Sequence, residues 1–187
     1  MRIISGQYKG RRLTAPKKLP VRPTTDMAKE ALFNILNNRY YFDAVSVLDL
    51  FSGTGNISYE FASRGTEHIT AVDTHHACVK FINQTASEFN MPIQVLKSDV
   101  FKYLESTNLP KFTIIFADPP YAFPLEDFSN IPALVFKNKL LENEGVLIIE
   151  HSKHTNLSYL EYYSYSKSYG GNVFSFFENP EETGSNE

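Results

Sequence analysis

The stretch Phe112-Thr-Ile-Ile-Phe-Ala117, followed at once by Asp118-Pro119-Pro120-Tyr121, decides the fold. Its first six residues carry no charge and predict a strand buried on both faces, as in a parallel sheet. Each proline fixes its own φ and favours an extended residue before it, so the Asp118 carboxylate and the Pro119 carbonyl are rigidly placed. Tyr121 adds an aromatic face. These groups suit a planar ligand that carries an amine, such as a nucleobase, although a simple strand-ending turn is the alternative.

Strands and helices alternate around this stretch. Apolar runs predict strands at 45–51, 69–73, 93–96, 112–117 and 145–150, with helices at 54–63, 75–89, 100–106 and 128–141. An amphipathic helix at 26–38 precedes them, and aromatic-rich runs at 159–167 and 172–177 predict an antiparallel terminal hairpin. We therefore predict an α/β, Rossmann-like fold: a mostly parallel open sheet of order 3-2-1-4-5 with helices on both faces.

The first 25 residues differ from the rest in charge: they hold seven of the chain's 18 basic residues and none of its 21 acidic residues. Short strands at 2–5 and 11–14 around two glycines predict a β-hairpin arm. We divide the chain into this arm (1–25), a main domain (26–177) and an acidic, disordered tail (178–187). A basic arm on an acidic body is typical of phosphate contacts, and chance clustering is the alternative. The candidate RNA-binding residues are Arg2, Lys9, Arg11, Arg12, Lys17, Lys18 and Arg22.

Composition narrows the class of protein. A chain of 187 residues is long enough for one α/β domain and a small appendage, and we expect a monomer. The single cysteine, Cys78, fits a reducing cytoplasm rather than a disulfide framework. We expect no membrane span, because no apolar run is long enough, and no metal site, because the five histidines show no ligand spacing.

The predicted first strand runs into Asp49-Leu-Phe-Ser-Gly53-Thr-Gly55. Glycines here let backbone N–H groups approach a ligand at a helix N-terminus. The third glycine of the dinucleotide fingerprint is replaced by Ser58, and Asp49 favours a cation over a pyrophosphate. S-adenosylmethionine, which has a sulfonium, an ammonium and no phosphate, is the cofactor that fits. The candidate cofactor residues of this loop are Asp49, Phe51, Ser52, Gly53, Thr54 and Gly55.

Two further acids follow the next two strands. Asp73, followed by Thr74, can accept from both hydroxyls of an adenosine ribose, as in NAD and S-adenosylmethionine sites. Asp99, followed by Val100, can accept from the adenine amine or cap the next helix. Strands one and four are neighbours in the predicted order, so the methyl donor would face the amine held by Asp118.

The chain resembles the S-adenosylmethionine-dependent amino methyltransferases with an [DN]-P-P-[YFW] signature. Residues 1–13, 22–26, 30–34, 48–55 and 168–170 narrow the resemblance to the bacterial 16S ribosomal RNA guanine-N2 methyltransferases of the RsmD type. The resemblance implies transfer of a methyl group to guanine N2 in the RNA of the small ribosomal subunit. It also implies a catalytic role for Asp118, Pro119, Pro120 and Tyr121. Lys29 stands where arginine is expected, and Gly171-Asn172 replaces an acid; we expect neither departure to touch the chemistry.

Three other functions remain. An adenine-N6 or cytosine-N4 DNA methyltransferase would share the catalytic loop, but this chain has no room for the usual target-recognition region. A non-catalytic ribosome-assembly factor could keep the fold for RNA binding alone. A nicotinamide-dependent reductase is disfavoured by Asp49, Ser58 and the Asp118–Tyr121 loop.

Overall fold

A computed structural model describes residues 1–17, 19, 24–120 and 122–180. Its helices are α1 (Asp26–Asn37), α2 (Asn56–Ser63), α3 (His76–Glu88), α4 (Val100–Leu104) and α5 (Leu125–Lys137), with a 3₁₀ turn at Phe42–Ala44. Its strands are β1 (Ser46–Leu50), β2 (His68–Asp73), β3 (Ile93–Lys97), β4 (Phe112–Ala117), β5 (Leu141–Ser152), β6 (Tyr163–Tyr169) and β7 (Asn172–Glu178). Within this described part, no helix is long and apolar enough to cross a membrane.

The strands form one seven-stranded sheet in the order β3-β2-β1-β4-β5-β7-β6. The first five pair in parallel, and β7 and β6 add antiparallel pairing at one edge. The predicted order 3-2-1-4-5 and the Rossmann-like fold are therefore confirmed. β4 is buried along its whole length because apolar side chains cover both of its faces: Ile114 and Phe116 on one, Ile115 and Ala117 on the other.

The boundaries of α5 and β5 differ from the prediction. The helix was expected at 128–141, yet it begins after Pro124 and ends at Lys137, and Leu141 already belongs to β5. Lys139 has a φ of 52°, which turns the chain out of the helix. β6 also begins later than the predicted run at 159–167, which leaves Tyr159 exposed rather than packed in a strand.

The N-terminal arm is a hairpin held by backbone hydrogen bonds rather than by two full strands. Arg2 and Arg12 form a single antiparallel bridge, and the Ile3 N–H donates to the Arg11 carbonyl over 2.9 Å. Its tip lies against α2: a Cβ on Gly6 would come within 1.8 Å of the Ser63 carbonyl oxygen. Only glycine fits at this position, so the arm is docked on the main domain.

A buried ion pair anchors the arm. The ammonium of Lys29 on α1 and the carboxylate of Glu60 on α2 are 3.2 Å apart, and both side chains are fully buried. Glu60 also accepts from the backbone N–H groups of Ile4 (2.9 Å) and Ser5 (3.0 Å), and Lys29 donates to the Arg2 carbonyl. Because each charge is hydrogen-bonded as well as paired, the burial is compensated.

Candidate active site

A cavity of about 490 Å³ opens at the carboxyl ends of β1, β2, β4 and β5. This is the edge of the sheet where open α/β folds bind ligands, at the point where the strand order reverses. Twelve of the predicted site residues line it: Asp49, Phe51, Ser52, Gly53, Thr54, Asp73, Thr74, Asp99, Val100, Asp118, Pro119 and Pro120. The structure thus brings the two predicted motifs to one cavity.

The loop after β1 bends sharply into α2. Phe51 has a φ of 57°, an uncommon value for a residue with a side chain, and Gly53 and Gly55 have φ values of 54° and 81°. Gly55 is the last residue before α2, and a Cβ there would lie 2.8 Å from the Tyr59 ring. Glycine is therefore required at position 55 by both φ and space, although Gly55, unlike the other predicted residues of this loop, does not line the cavity.

Asp73 at the end of β2 holds two loops together. One carboxylate oxygen accepts from the Gly53 N–H over 2.8 Å, and the other accepts from the His75 N–H over 2.7 Å. The side chain is buried but lines the cavity, and each oxygen retains a lone pair that can accept from a ligand hydroxyl. Asp73 can thus hold the two loops together and still accept hydrogen bonds from a ribose, as the sequence predicts.

Asp49 lies inside β1 and is almost fully buried. Ser58, which replaces the third fingerprint glycine, donates its hydroxyl to Asp49 over 2.6 Å. Burial raises the pKa of Asp49 to about 7, and the charge of Asp73 adds to this rise while the Ser58 hydrogen bond opposes it. The Ser58 hydroxyl therefore stabilises the Asp49 carboxylate at the inner surface of the cavity. A cation bound in the cavity would favour the ionised form of Asp49.

Asp99 caps α4, because its carboxylate accepts from the Lys102 N–H over 3.0 Å. The helix-cap interpretation is confirmed, and Asp99 is exposed and lines the cavity as well. Phe51, which lines the cavity, belongs to an aromatic cluster: its ring meets Phe123 edge-on, and the rings of Phe123 and Phe101 stack at 6.0 Å.

Asp118 follows β4 directly, and its N–H donates to the Leu50 carbonyl over 3.3 Å, which ties it to the end of β1. Burial and the neighbouring carboxylates of Glu150 and Asp49 hold the pKa of Asp118 well above its usual range. Pro119 is buried and Pro120 exposed, and both line the cavity. Tyr121 lies outside the described residues, so its predicted stacking role stays a prediction.

Glu150 is a cavity residue that the sequence interpretation missed. It lies near the end of β5, it is only 6% exposed, and it accepts from the Thr24 hydroxyl over 2.8 Å and from the Asn172 amide over 2.6 Å. Burial raises its pKa to about 7, although both hydrogen bonds oppose the rise. One signal could have revealed it: like Asp118, Glu150 is an acid directly after a run of buried apolar residues.

Of the two departures from the family pattern, one borders the cavity and the other contacts a residue that does; that neither touches the chemistry stays a prediction. Asn172 lines the cavity and contacts Glu150. Lys29 donates to the side chain of Asn56 over 2.9 Å, and Asn56 in turn donates to the Thr24 carbonyl over 3.0 Å. These contacts form because the segment before α1 and the turn between β6 and β7 both lie at the edge of the sheet that carries the cavity.

His151, treated as an ordinary histidine in the sequence, also lines the cavity. Its Nδ1 lies 2.9 Å from the Ser152 carbonyl, which can only accept, so Nδ1 carries the proton. Its Nε2 therefore accepts from the Ser175 hydroxyl over 2.7 Å. Burial lowers the pKa of His151, and the ring is held neutral in one tautomer.

Five of the seven predicted RNA-binding residues are described, and all five are exposed: Arg2, Lys9, Arg11, Arg12 and Lys17. Two of them also serve the fold. Arg2 lies 3.2 Å from the Asp26 carboxylate, and Arg11 stacks over the Phe89 ring at 4.7 Å. Lys18 and Arg22 lie outside the described residues. Among the described residues, no group of three or more His, Cys, Asp or Glu side chains could hold a metal ion.

The strand order, the glycine loop with Asp73 and the Asp118–Pro120 loop together define an S-adenosylmethionine-dependent methyltransferase of Rossmann-like fold. Within that class, the chain belongs to the family described as Conserved hypothetical protein 95, which matches residues 1–178. This membership confirms the RsmD-type resemblance of the sequence.

Two relatives illustrate the family. Bacillus subtilis (strain 168) YlbH, provisionally named an rRNA methyltransferase, is 35% identical over 161 residues, 84% of this chain and 85% of YlbH. Escherichia coli (strain K12) ribosomal RNA small subunit methyltransferase D is 32% identical over 159 residues, 84% of this chain and 77% of that protein.

Solved structures show the same architecture. The Thermus thermophilus hypothetical protein TTHA0928 matches with a TM-score of 0.82 and 26% identity over 96% of this chain and 99% of its own. The T. thermophilus 16S rRNA N2 G1207 methyltransferase RsmC, solved with AdoMet and guanosine, matches with a TM-score of 0.64. Its identity is 21%, over 87% of this chain and 45% of RsmC, so it shows the shared fold alone.

Proposed function

We propose that this protein transfers a methyl group from S-adenosylmethionine to the exocyclic N2 amine of a guanine in the 16S RNA of the small ribosomal subunit. One observation carries the proposal: the glycine loop after β1 and the Asp118–Pro119 loop after the adjacent strand β4 line the same cavity, together with Asp73 at the end of β2. The small-subunit RNA as substrate is supported by the names of the relatives. The choice of guanine N2 is supported by the resemblance of the arm and of residues 22–34 to the RsmD-type enzymes.

The donor half of the cavity suits the cofactor. Carboxylates at Asp49, Asp73 and Asp99 face it, together with the backbone of Gly53, and this set favours a cation that carries hydroxyls and an amine. We assign Asp73 and Thr74 to the ribose and Asp99 and Val100 to the adenine. We assign the loop from Asp49 to Gly55 to the amino-acid part. When bound there, the cofactor supplies an electrophilic methyl group on a positively charged sulfur.

The acceptor half holds and orients the amine. Asp118 and the Pro119 carbonyl accept its two N–H hydrogens, which places the nitrogen in line with the donor half. As positive charge grows on the nitrogen, both acceptors stabilise it because they are already in position. The proton can leave after the methyl group arrives, so Asp118 serves first as a positioning acceptor and second as a proton acceptor. Tyr121 stacks on the base, which must be unpaired or flipped out of its helix.

We propose that the arm (1–25) brings the RNA to this site. Its exposed basic residues contact phosphates beside the target, and such contacts weaken as salt rises. We further propose a monomeric, cytoplasmic enzyme made of the arm and a domain at 26–177, with residues 178–187 as a tail; Glu178 still pairs in β7. Lys18, Arg22 and Tyr121 enter this proposal from the sequence alone.

The experiment is methyl transfer from labelled S-adenosylmethionine to small ribosomal subunits, naked 16S RNA and DNA, followed by nucleoside mass spectrometry. We expect N2-methylguanosine in the RNA and no label in the DNA. N6-methyladenine or N4-methylcytosine in the DNA would replace the proposal with the DNA methyltransferase alternative. Cofactor binding without transfer to any substrate would favour the non-catalytic assembly factor.

A further inference from the structure

Glu150 stands beside Asp118 by the register of the sheet. β4 and β5 run parallel, with Ala117 opposite Ile149, so the next residues on the two strands are Asp118 and Glu150. Ala117 and Ile149 pack into the same core cluster, which puts the following residue of each strand on the opposite face. Asp118 and Glu150 accordingly line the same cavity. The acceptor half therefore contains two neighbouring carboxylates rather than one.

The position of the Glu150 carboxylate is fixed from both sides. The Thr24 hydroxyl donates to one of its oxygens over 2.8 Å and the Asn172 amide to the other over 2.6 Å. Both donors are neutral, and they occupy two of roughly four lone-pair positions that a carboxylate offers. The remaining positions belong to a group that is 6% exposed and borders the cavity, so a ligand donor can reach them.

The bases that carry an exocyclic amine differ in the atom beside it. In guanine the N2 amine is flanked by N1–H, a donor, whereas the amines of adenine and cytosine are flanked by a ring nitrogen that accepts on the same edge. In its ionised form, a carboxylate beside the groups that hold the amine pairs with the N1–H of guanine and repels the lone pair of the other two bases. Flipped bases are commonly read in this way along their Watson–Crick edge.

We propose that Glu150 is the specificity-determining residue of this site, which accepts a hydrogen bond from the N1–H of the target guanine while Asp118 and the Pro119 carbonyl hold its N2 amine. This inference rests on the proposed function and extends it to the choice of base. Thr24 and Asn172 then act as positioning residues that keep the Glu150 carboxylate in the plane of the base.

The test uses small-subunit RNA whose target guanine, once mapped, is replaced by 2-aminopurine through ligation of a synthetic segment. 2-Aminopurine keeps the 2-amine but has an acceptor at N1. For the wild type, kcat/KM should be about 10- to 100-fold higher with the guanine RNA than with the 2-aminopurine RNA. The reason is that the acceptor formed by Glu150 has no N1–H to pair with in 2-aminopurine. Glu150→Gln, whose amide can donate to the unprotonated N1, should reduce this preference at least about tenfold.

The matched control is Glu142→Gln, the same substitution on the same strand. Glu142 accepts from the Thr113 hydroxyl over 3.0 Å, much as Glu150 accepts from Thr24, and it does not line the cavity. This variant should keep the wild-type preference. A purely structural role for Glu150 would lower both rates equally and leave their ratio unchanged, and that result overturns the inference.

Two further outcomes separate the inference from the proposed function. If the wild type forms N2-methylguanosine but methylates both RNAs at equal rates, Glu150 does not select the base, whatever the variants show. If the wild type forms no N2-methylguanosine at all, the proposed function fails and the inference with it. Should Glu150→Gln not fold, Glu150→Asp keeps the carboxylate and is expected to retain the guanine preference at a lower rate; equal use of both RNAs by this variant contradicts the proposal.

Discussion

The two halves of the cavity are built in different ways. The donor half is built at the carboxyl ends of the first three strands along the chain: Asp49 lies in β1, Asp73 ends β2 and Asp99 follows β3. The acceptor half is assembled from segments far apart in sequence: the ends of β4 and β5, the segment just before α1 and the β6–β7 hairpin. Glu150, Thr24 and Asn172 meet there although 148 positions separate the outer two. In the proposed function, a local motif thus binds the cofactor, and a tertiary arrangement selects the base.

This difference explains what the sequence could predict. Asp73 and Asp118 follow apolar runs and lie in recognisable motifs, so their placement on one edge of the sheet could be derived from strand order. Thr24 and Asn172 carry no such signal, because they reach Glu150 only through the docking of α1 and the pairing of β5 with β7. The end of α5 carried no glycine signal, because Lys139 takes the left-handed position that glycine usually occupies, with its N–H donating to the Phe136 carbonyl and the Leu140 N–H to the Val135 carbonyl.

Asp118→Ala is expected to give the largest difference between its effect on methyl transfer, in the acceptor half, and its effect on cofactor binding, in the donor half. Removing one acceptor from the amine should lower kcat by on the order of 10²- to 10³-fold, while S-adenosylmethionine affinity stays within a few-fold. Labelled transfer to small-subunit RNA gives the rate, and calorimetry gives the affinity. Glu126→Ala, an exposed acid on the following helix, is the control. Substantial transfer by Asp118→Ala would show that the amine clamp is wrong.

Asp73→Ala should do the reverse and affect the donor half. It removes an acceptor for a ribose hydroxyl and the partner of the Gly53 and His75 N–H groups, so cofactor affinity should fall roughly 10- to 100-fold. The kcat at saturating cofactor should change far less. Exposed Asp43→Ala serves as the control, with melting temperatures for both variants. An unchanged cofactor Kd would place the ribose elsewhere.

Charge reversal in the arm should leave both halves of the cavity intact and weaken only RNA binding. Lys9 and Arg12 are exposed, whereas Arg11 stacks on Phe89, so the double variant Lys9→Glu/Arg12→Glu avoids a packing defect. RNA affinity should fall about tenfold, and the salt dependence should become shallower by roughly one or two released ions. Lys137→Glu on α5 is the matched control for added negative charge. Unaltered RNA affinity in the arm variant would mean that the arm does not contact RNA.

The smallest effect expected is a pH dependence of cofactor binding in the donor half. With a pKa of about 7, Asp49 is mostly protonated at pH 6 and mostly ionised at pH 8. A cationic cofactor binds the ionised form better, so its affinity should rise with pH, by less than about tenfold over this range. Asp49→Asn should bind more weakly and lose this rise in calorimetry. A rise that persists in Asp49→Asn would assign the titration to another group.

The anchor formed by Lys29 and Glu60 has a consequence for hydrogen exchange. The N–H groups of Ile4 and Ser5 donate to a carboxylate whose side chain is fully buried, so they can exchange with solvent only when the arm separates from α2. These two amides near the start of the chain should therefore be protected from exchange while the arm is docked. A truncation that removes the arm would accordingly lower the stability of the main domain. Charge reversal at the surface of the arm changes RNA binding without this loss of stability.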